Sequence, residues 1–141
     1  MSRKFGVADY PLAEKRPELV KGKGGKALDD ITLEAVNRFE VSMSDLSITA
    51  EALVRQADVA RDAGRVTLAS NFERAAELCD VPQDEIMRIY ELLRPGRARD
   101  KGPLLEAART LRETYGAERM AAFVEEAAAV YERRGLFRFR F

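Results

Sequence analysis

Apolar residues recur at helical rather than strand spacing through most of this chain, beginning near Leu28. A short segment there has Ile31, Leu33, Val36 and Phe39 as its apolar members, and Asp29, Asp30 or Thr32 can cap it. Residues 39–47 read as a connector. Thr49 then opens a longer helix as N-cap, Glu51 complements the positively polarised first turn, and Leu53, Ala57 and Ala60 make an i, i+4, i+7 stripe. Gly64 ends this helix, and the next, over about 66–79, places Leu68, Phe72, Ala75 and Cys79 on one face. Pro82 suits the first turn of a helix whose stripe is Ile86, Ile89, Tyr90 and Leu93, with Pro95-Gly96 as its stop. Gly102-Pro103 repeats the start signal for a helix through Tyr115, with Leu104, Ala108, Leu111 and Tyr115 on one side. After Gly116, an alanine-rich helix over about 117–134 has Met120, Phe123, Ala127 and Tyr131 as its expected buried face, and Gly135 follows it.

The two ends differ from this pattern. Residues 1–27 hold four of the nine glycines, together with Pro11 and Pro17, so no helix interior fits there and an extended arm is expected. Tyr10 and Leu12 are its anchors, either on a partner or folded onto the chain's own core. At the other end Phe137, Phe139 and Phe141 alternate with Arg138 and Arg140, a period of two that marks residues 136–141 as a short extended tail. The tail either docks on a partner or packs in cis. The expected fold is therefore all-α, a compact bundle of about five or six helices over 28–135 between the arm and the tail.

Composition narrows the function. Lysines and arginines number 24 and acids 24, so the basic footprint of a nucleic-acid-binding domain is missing. The helix pair meeting at Gly64 is not a DNA-reading element either, because Glu73 and Glu77 flank Arg74. The single cysteine, Cys79, excludes an internal disulfide and fits a reducing compartment, which makes a cytoplasmic location the default. No run approaches the ~20 apolar residues of a membrane span, and the N-terminus lacks the apolar core of a secretory signal. Histidine is absent, which removes the commonest acid-base group, the commonest metal ligand and every His-dependent nucleophile system. No carboxylate stands out as catalytic, since solvated helix faces account for most of the acids. Lys21 to Lys26 lacks the Ser/Thr and preceding strand of a phosphate loop and reads as a flexible basic linker. Arg94, Arg97, Arg99 and Lys101 read as a solvated interhelical loop, with a weak claim to be an interface.

One stretch carries a resemblance. Arg61 to Leu78 reads RDAGRVTLASNFERAAEL, an arginine-glycine-arginine turn at Arg61, Gly64 and Arg65 running into Asn71 to Leu78. With it, in order, come Asp9-Tyr10-Pro11-Leu12-Ala13 and Lys15, the run Lys26 to Glu34, and Asp45 to Thr49 with Glu51 and Leu53. Val81 to Ile86 follows, leading to Ile89-Tyr90 and Leu93-Arg94-Pro95. This pattern, over about residues 9–97, closely resembles the small (gamma) subunit of adenosylcobalamin-dependent diol and glycerol dehydratases.

The resemblance implies a lyase complex of large (alpha), medium (beta) and small subunits, usually a dimer of heterotrimers, converting 1,2-diols or glycerol to aldehydes. It implies that substrate and metal lie in the large subunit and cobalamin between the large and medium subunits. The small subunit then binds chiefly to the large one, holding no catalytic, cofactor or metal site. Tyr10, Leu12, Arg61, Gly64, Arg65, Asn71, Arg74 and the tail residues Phe137, Phe139 and Phe141 are the candidates for interface or turn-fixing roles. Asn71 and Arg74 equally suit bonding within the chain. Only eight residues precede Asp9, whereas microcompartment-packaged relatives often carry a longer extension, so a free cytoplasmic complex is expected. The Phe-Arg tail departs from the family's more polar ending. Preference between propane-1,2-diol and glycerol is decided on another chain. The rival reading, a stand-alone helical adaptor, predicts a stable monomer or homodimer, whereas a subunit on its own predicts poor solubility or self-association.

Deleting residues 137–141 should weaken association with the large subunit if the tail docks in trans. An unchanged affinity in a titration would rule that role out.

Overall fold

The helix signals of the sequence correspond to eight α-helices in the computed structural model, which describes residues 4–137. They are α1 (Leu12–Lys15), α2 (Leu33–Asn37), α3 (Met43–Leu46), α4 (Ala50–Asp62), α5 (Val66–Leu78), α6 (Gln83–Leu93), α7 (Gly102–Tyr115) and α8 (Glu118–Arg134). The expected helices are α2 and α4 to α8. The one-turn pieces α1 and α3 are additional, lying in the expected arm and connector. The fold is all-α, and the described residues contain no strand, only an isolated antiparallel bridge between Lys21 and Ala27. Among them no helix is long and apolar enough to cross a membrane. The described residues divide after Cys79 into two compact units, where one helical domain over 28–135 was expected.

Local chemistry sets the helix ends. Thr32 and Thr49 accept hydrogen bonds from the amides of Ala35 and Ala52, each at 3.1 Å, and so satisfy first-turn donors of α2 and α4. Gly64 sits just beyond α4 at φ +76°, a conformation that a side chain would strain.

In the first unit α4 lies along α5. Their contact is a cluster of Ala57, Ala60 and Ala69, with Leu68 and Phe72 packed against it. The stripe of α4 is the expected one, since Leu53, Ala57 and Ala60 are all buried. The face of α5 is rotated from expectation: Ala69 and Ala76 are buried, while Leu68, Phe72, Ala75 and Cys79 are only half-buried. Alanine permits the closer approach of helix axes, so the small residues close the contact while Leu68 and Phe72 pack against it half-buried.

In the second unit α7 packs on α8. Leu104, Ala107, Ala108 and Leu111 of α7 are fully buried, as the stripe of Leu104, Ala108 and Leu111 anticipates. The buried face of α8 is Ala121, Val124 and Ala128, not Met120, Phe123, Ala127 and Tyr131. The difference is one residue, or ~100° around the helix, and again brings alanines to the contact. On α6 Ile89 is buried, whereas Tyr90 is exposed. Arg112 joins α7 to α8 through paired bonds to Glu125 at 2.7 and 3.0 Å and a bond to Glu118 at 2.8 Å. The Tyr131 hydroxyl donates to the Leu93 carbonyl and ties α8 to the end of α6.

Replacing Leu111 by alanine should destabilise the second unit by about 2 to 5 kcal/mol in chemical denaturation, the usual cost of truncating a fully buried leucine. A change near zero would contradict this packing.

Candidate interaction surface

Residues 4–27 contain no helix longer than one turn, in keeping with their glycines and prolines, yet they are not a free extended arm. Side chains of α4 hold them. The Val7 amide donates to Asp62 at 2.8 Å, and Arg55 donates to the Leu19 carbonyl at 2.8 Å. The guanidinium groups of Arg16 and Arg55 lie 5.6 and 5.7 Å from the Phe5 ring centroid, a cation–π arrangement. Asp9 is buried, accepting from the Gly6 amide at 3.1 Å and pairing with Arg16 at 3.2 Å. Of the two expected anchors, Leu12 is buried within the chain's own first unit and Tyr10 is 57% exposed.

The basic run Lys21 to Lys26, expected to be a flexible linker, wraps around Asp45 instead. A β-carbon at Gly22 would lie 2.0 Å from the Asp45 carbonyl oxygen, and one at Gly24 would lie 2.0 Å from Asp45 Oδ1. Only glycine permits this approach. The amides of Lys23 and Gly24 donate to the Ser47 and Ser44 carbonyls at 3.1 and 3.2 Å, and Lys26 bonds to the Glu40 carbonyl. Asp45 accepts from the Ser42 amide at 2.8 Å and its hydroxyl at 3.0 Å, with the Lys26 ammonium 3.8 Å away. The Ser42 bonds, with Lys26 adding to them, hold the Asp45 carboxyl below its ordinary pKa.

At the Arg61-Gly64-Arg65 turn the two arginines part company. Arg61 pairs with Glu73 at 2.7 Å, joining α4 to α5, and lies 4.0 Å from Asp58. Asp62 is used by the N-terminal segment. Arg65 is exposed, its amide bonded to the Ala60 carbonyl at 2.8 Å, and its guanidinium has no ion pair among the described residues. Arg74 donates to Asn71 one turn away, so these two bond within the chain. The structure thus assigns Arg61 and Gly64 to the turn and leaves Tyr10 and Arg65 at the surface.

Sequence reasoning missed the main feature of the first unit. Leu33, Val36, Phe39, Met43, Leu46 and Ile48 are all exposed, Phe39 at 95%. Leu28, Leu46 and Ile48 also flank a groove of about 440 Å³, walled on its other sides by Leu12, Leu19 and Val20. The signal was present, since Leu33, Val36 and Phe39 recur every third residue. A five-residue helix such as α2 is too short to bury such a row.

In the tail, Phe137 is half-buried against Tyr131, with ring centroids 6.1 Å apart and edge-on, so this residue packs in cis. Phe139 and Phe141 lie outside the described residues. In the basic loop Arg94 and Arg97 pair with Glu91, and Lys101 pairs with Glu132.

Bonds from Arg16, Arg88 and Arg112 hold the Glu18, Glu85 and Glu125 carboxyls below their ordinary range, so they stay ionised at neutral pH. Among the described residues no group of three or more His, Cys, Asp or Glu could hold a metal.

A family model described as the dehydratase small subunit matches residues 5–138. The chain is 53% identical over 133 residues to the propanediol dehydratase small subunit of Salmonella typhimurium, covering 94% of this chain and 76% of that one. It is also 53% identical over 128 residues to the propanediol dehydratase small subunit of Citrobacter freundii, covering 91% of this chain and 74% of that one.

The lowered pKa of Asp45 has a defined consequence for stability. Its contribution is complete above the unfolded-state value, about 4, and is lost as pH falls through the lower folded value. Asp45→Asn should therefore be less stable than the parent at pH 7 and lose less stability between pH 5 and 2. Parallel pH profiles in chemical denaturation would contradict this.

Proposed function

The chain belongs to the dehydratase small-subunit family, and from that premise we propose that it is the non-catalytic small subunit of an adenosylcobalamin-dependent diol or glycerol dehydratase. The complex converts a 1,2-diol or glycerol to an aldehyde and water. This chain contributes by binding the large subunit and stabilising it in the complete assembly with the medium subunit. A subunit that binds only the assembled state stabilises that state by mass action. The observation that carries the reading is the exposed apolar face between Leu28 and Ile48, which a free monomer would leave in water.

Cobalamin does not fit the described part of this chain. The groove of about 440 Å³ is of a size for a far smaller ligand, its walls are mostly aliphatic, and the chain has no histidine. We therefore assign the cofactor to the other subunits and derive no chemistry from it here. The carboxylates best defined by their partners serve the fold: Asp9 and Asp45 secure the N-terminal segment and the loop, and Glu125 secures α8 on α7.

Co-expression with the large and medium subunits from the same source, with the tag on this chain, tests the proposal. The expected result is co-purification of all three, with adenosylcobalamin-dependent aldehyde formation that falls when this chain is omitted. Failure to associate would overturn it.

A further inference from the structure

Phe39 combines a left-handed backbone with a bulky side chain in solvent. Its φ is +59°, in the left-handed region that favours glycine, and its side chain is 95% exposed. The backbone there is held firmly: the Phe39 amide donates to the Val36 carbonyl at 3.0 Å, the Glu40 amide to the Ala35 carbonyl at 2.9 Å, and Lys26 bonds to the Glu40 carbonyl. The first two of these bonds close the end of α2 in the left-handed turn that commonly terminates a helix, a position where glycine would serve at lower backbone cost, and phenylalanine there holds an aromatic ring out into solvent.

The neighbourhood identifies what would cover the ring. Leu33 and Val36 precede Phe39 at three-residue spacing and are exposed, as are Met43 and Leu46 beyond it. Interspersed are four exposed carboxylates, Asp29, Asp30, Glu34 and Glu40, none in an ion pair among the described residues, with Arg38 the one base between Asp29 and Glu40. In the same unit Glu51 pairs with Arg55 and Glu73 with Arg61. Along this stretch exposed apolar residues and exposed acids are interspersed. A second copy of the chain would oppose acid to acid, which disfavours self-association through it.

Resting on the subunit reading above, we infer that residues 28–48 are the docking face, with Phe39 as the anchor that enters an apolar pocket ringed by lysine or arginine side chains on a partner subunit. An aromatic side chain at the centre of such a contact, with charged groups at the rim, is the usual arrangement of a binding hot spot. The hydrogen-bonded turn fixes the direction in which the side chain leaves the backbone, so less backbone freedom is lost on docking.

Phe39→Gly separates this role from any part in the fold, because glycine takes φ +59° without strain. In the full chain it should leave the thermal midpoint unchanged or raise it, while weakening association with the co-expressed large and medium subunits by ~30-fold or more. Asp30→Lys combined with Glu34→Lys should slow association, and rising salt should slow the parent but not this variant. If the parent assembles and Phe39→Gly assembles equally well, the docking face is overturned while the subunit reading stands. Loss only of self-association in the isolated variant would make a second copy the occupant and overturn it too. If the parent binds neither subunit, both readings fall.

Discussion

Alanine at the helix contacts is the constraint from which the rest of this structure follows. Eleven of the nineteen buried hydrophobic residues described are alanines, so the helices of each unit approach closely across small side chains. The α4–α5 contact closes on Ala57, Ala60 and Ala69, and the α7–α8 contact uses Ala107, Ala108, Ala121 and Ala128 around Leu104, Leu111 and Val124. Close contact of small residues gives good packing but buries little apolar area per residue, and burial is the main favourable contribution to folding. Bulky residues are left for the outside, and between Leu28 and Ile48 they collect on one stretch of chain. A family of subunits can use such a division, with small residues holding the chain together and large ones holding it to its neighbours.

The second level of organisation is polar. α4 acts as a post for the N-terminal half: Arg55 and Asp62 hold the first residues through backbone groups, and Arg61 reaches α5. The Ser44 and Ser47 carbonyls hold the glycine loop, and Lys26 carries that order on to Glu40 beside Phe39. The polar residues therefore fix a surface that contains few helical hydrogen bonds of its own. Its shape depends on charge pairs and close backbone approach more than on burial.

Much of the fold was legible in the sequence, because glycine, proline and threonine mark helix ends by local chemistry. Thr32, Thr49 and Gly64 act at the expected positions. Rotation about the axis was harder to read. On α8 the larger residues Met120 and Phe123 looked like the buried face, but the contact selects Ala121, Val124 and Ala128 for their size. The Lys21 to Lys26 loop was illegible because its partners, Ser44, Asp45 and Ser47, lie some twenty residues away. The same limit hid the exposed apolar stretch: Leu33, Val36 and Phe39 have the spacing of a core stripe, but α2 is short and nothing among the described residues covers them. Family resemblance pointed to Arg61, Gly64, Arg65, Asn71 and Arg74, and the structure divides these between turn-fixing, internal pairing and open surface.

Amide hydrogen exchange, compared between the isolated chain and the chain assembled with the large and medium subunits, tests the central claim most directly. The account predicts that residues 33–48 exchange markedly more slowly in the complex than in the isolated chain, while the amides of α7, already sheltered by their own unit, change little. Unchanged exchange over 33–48, with new protection confined to the second unit, would contradict it.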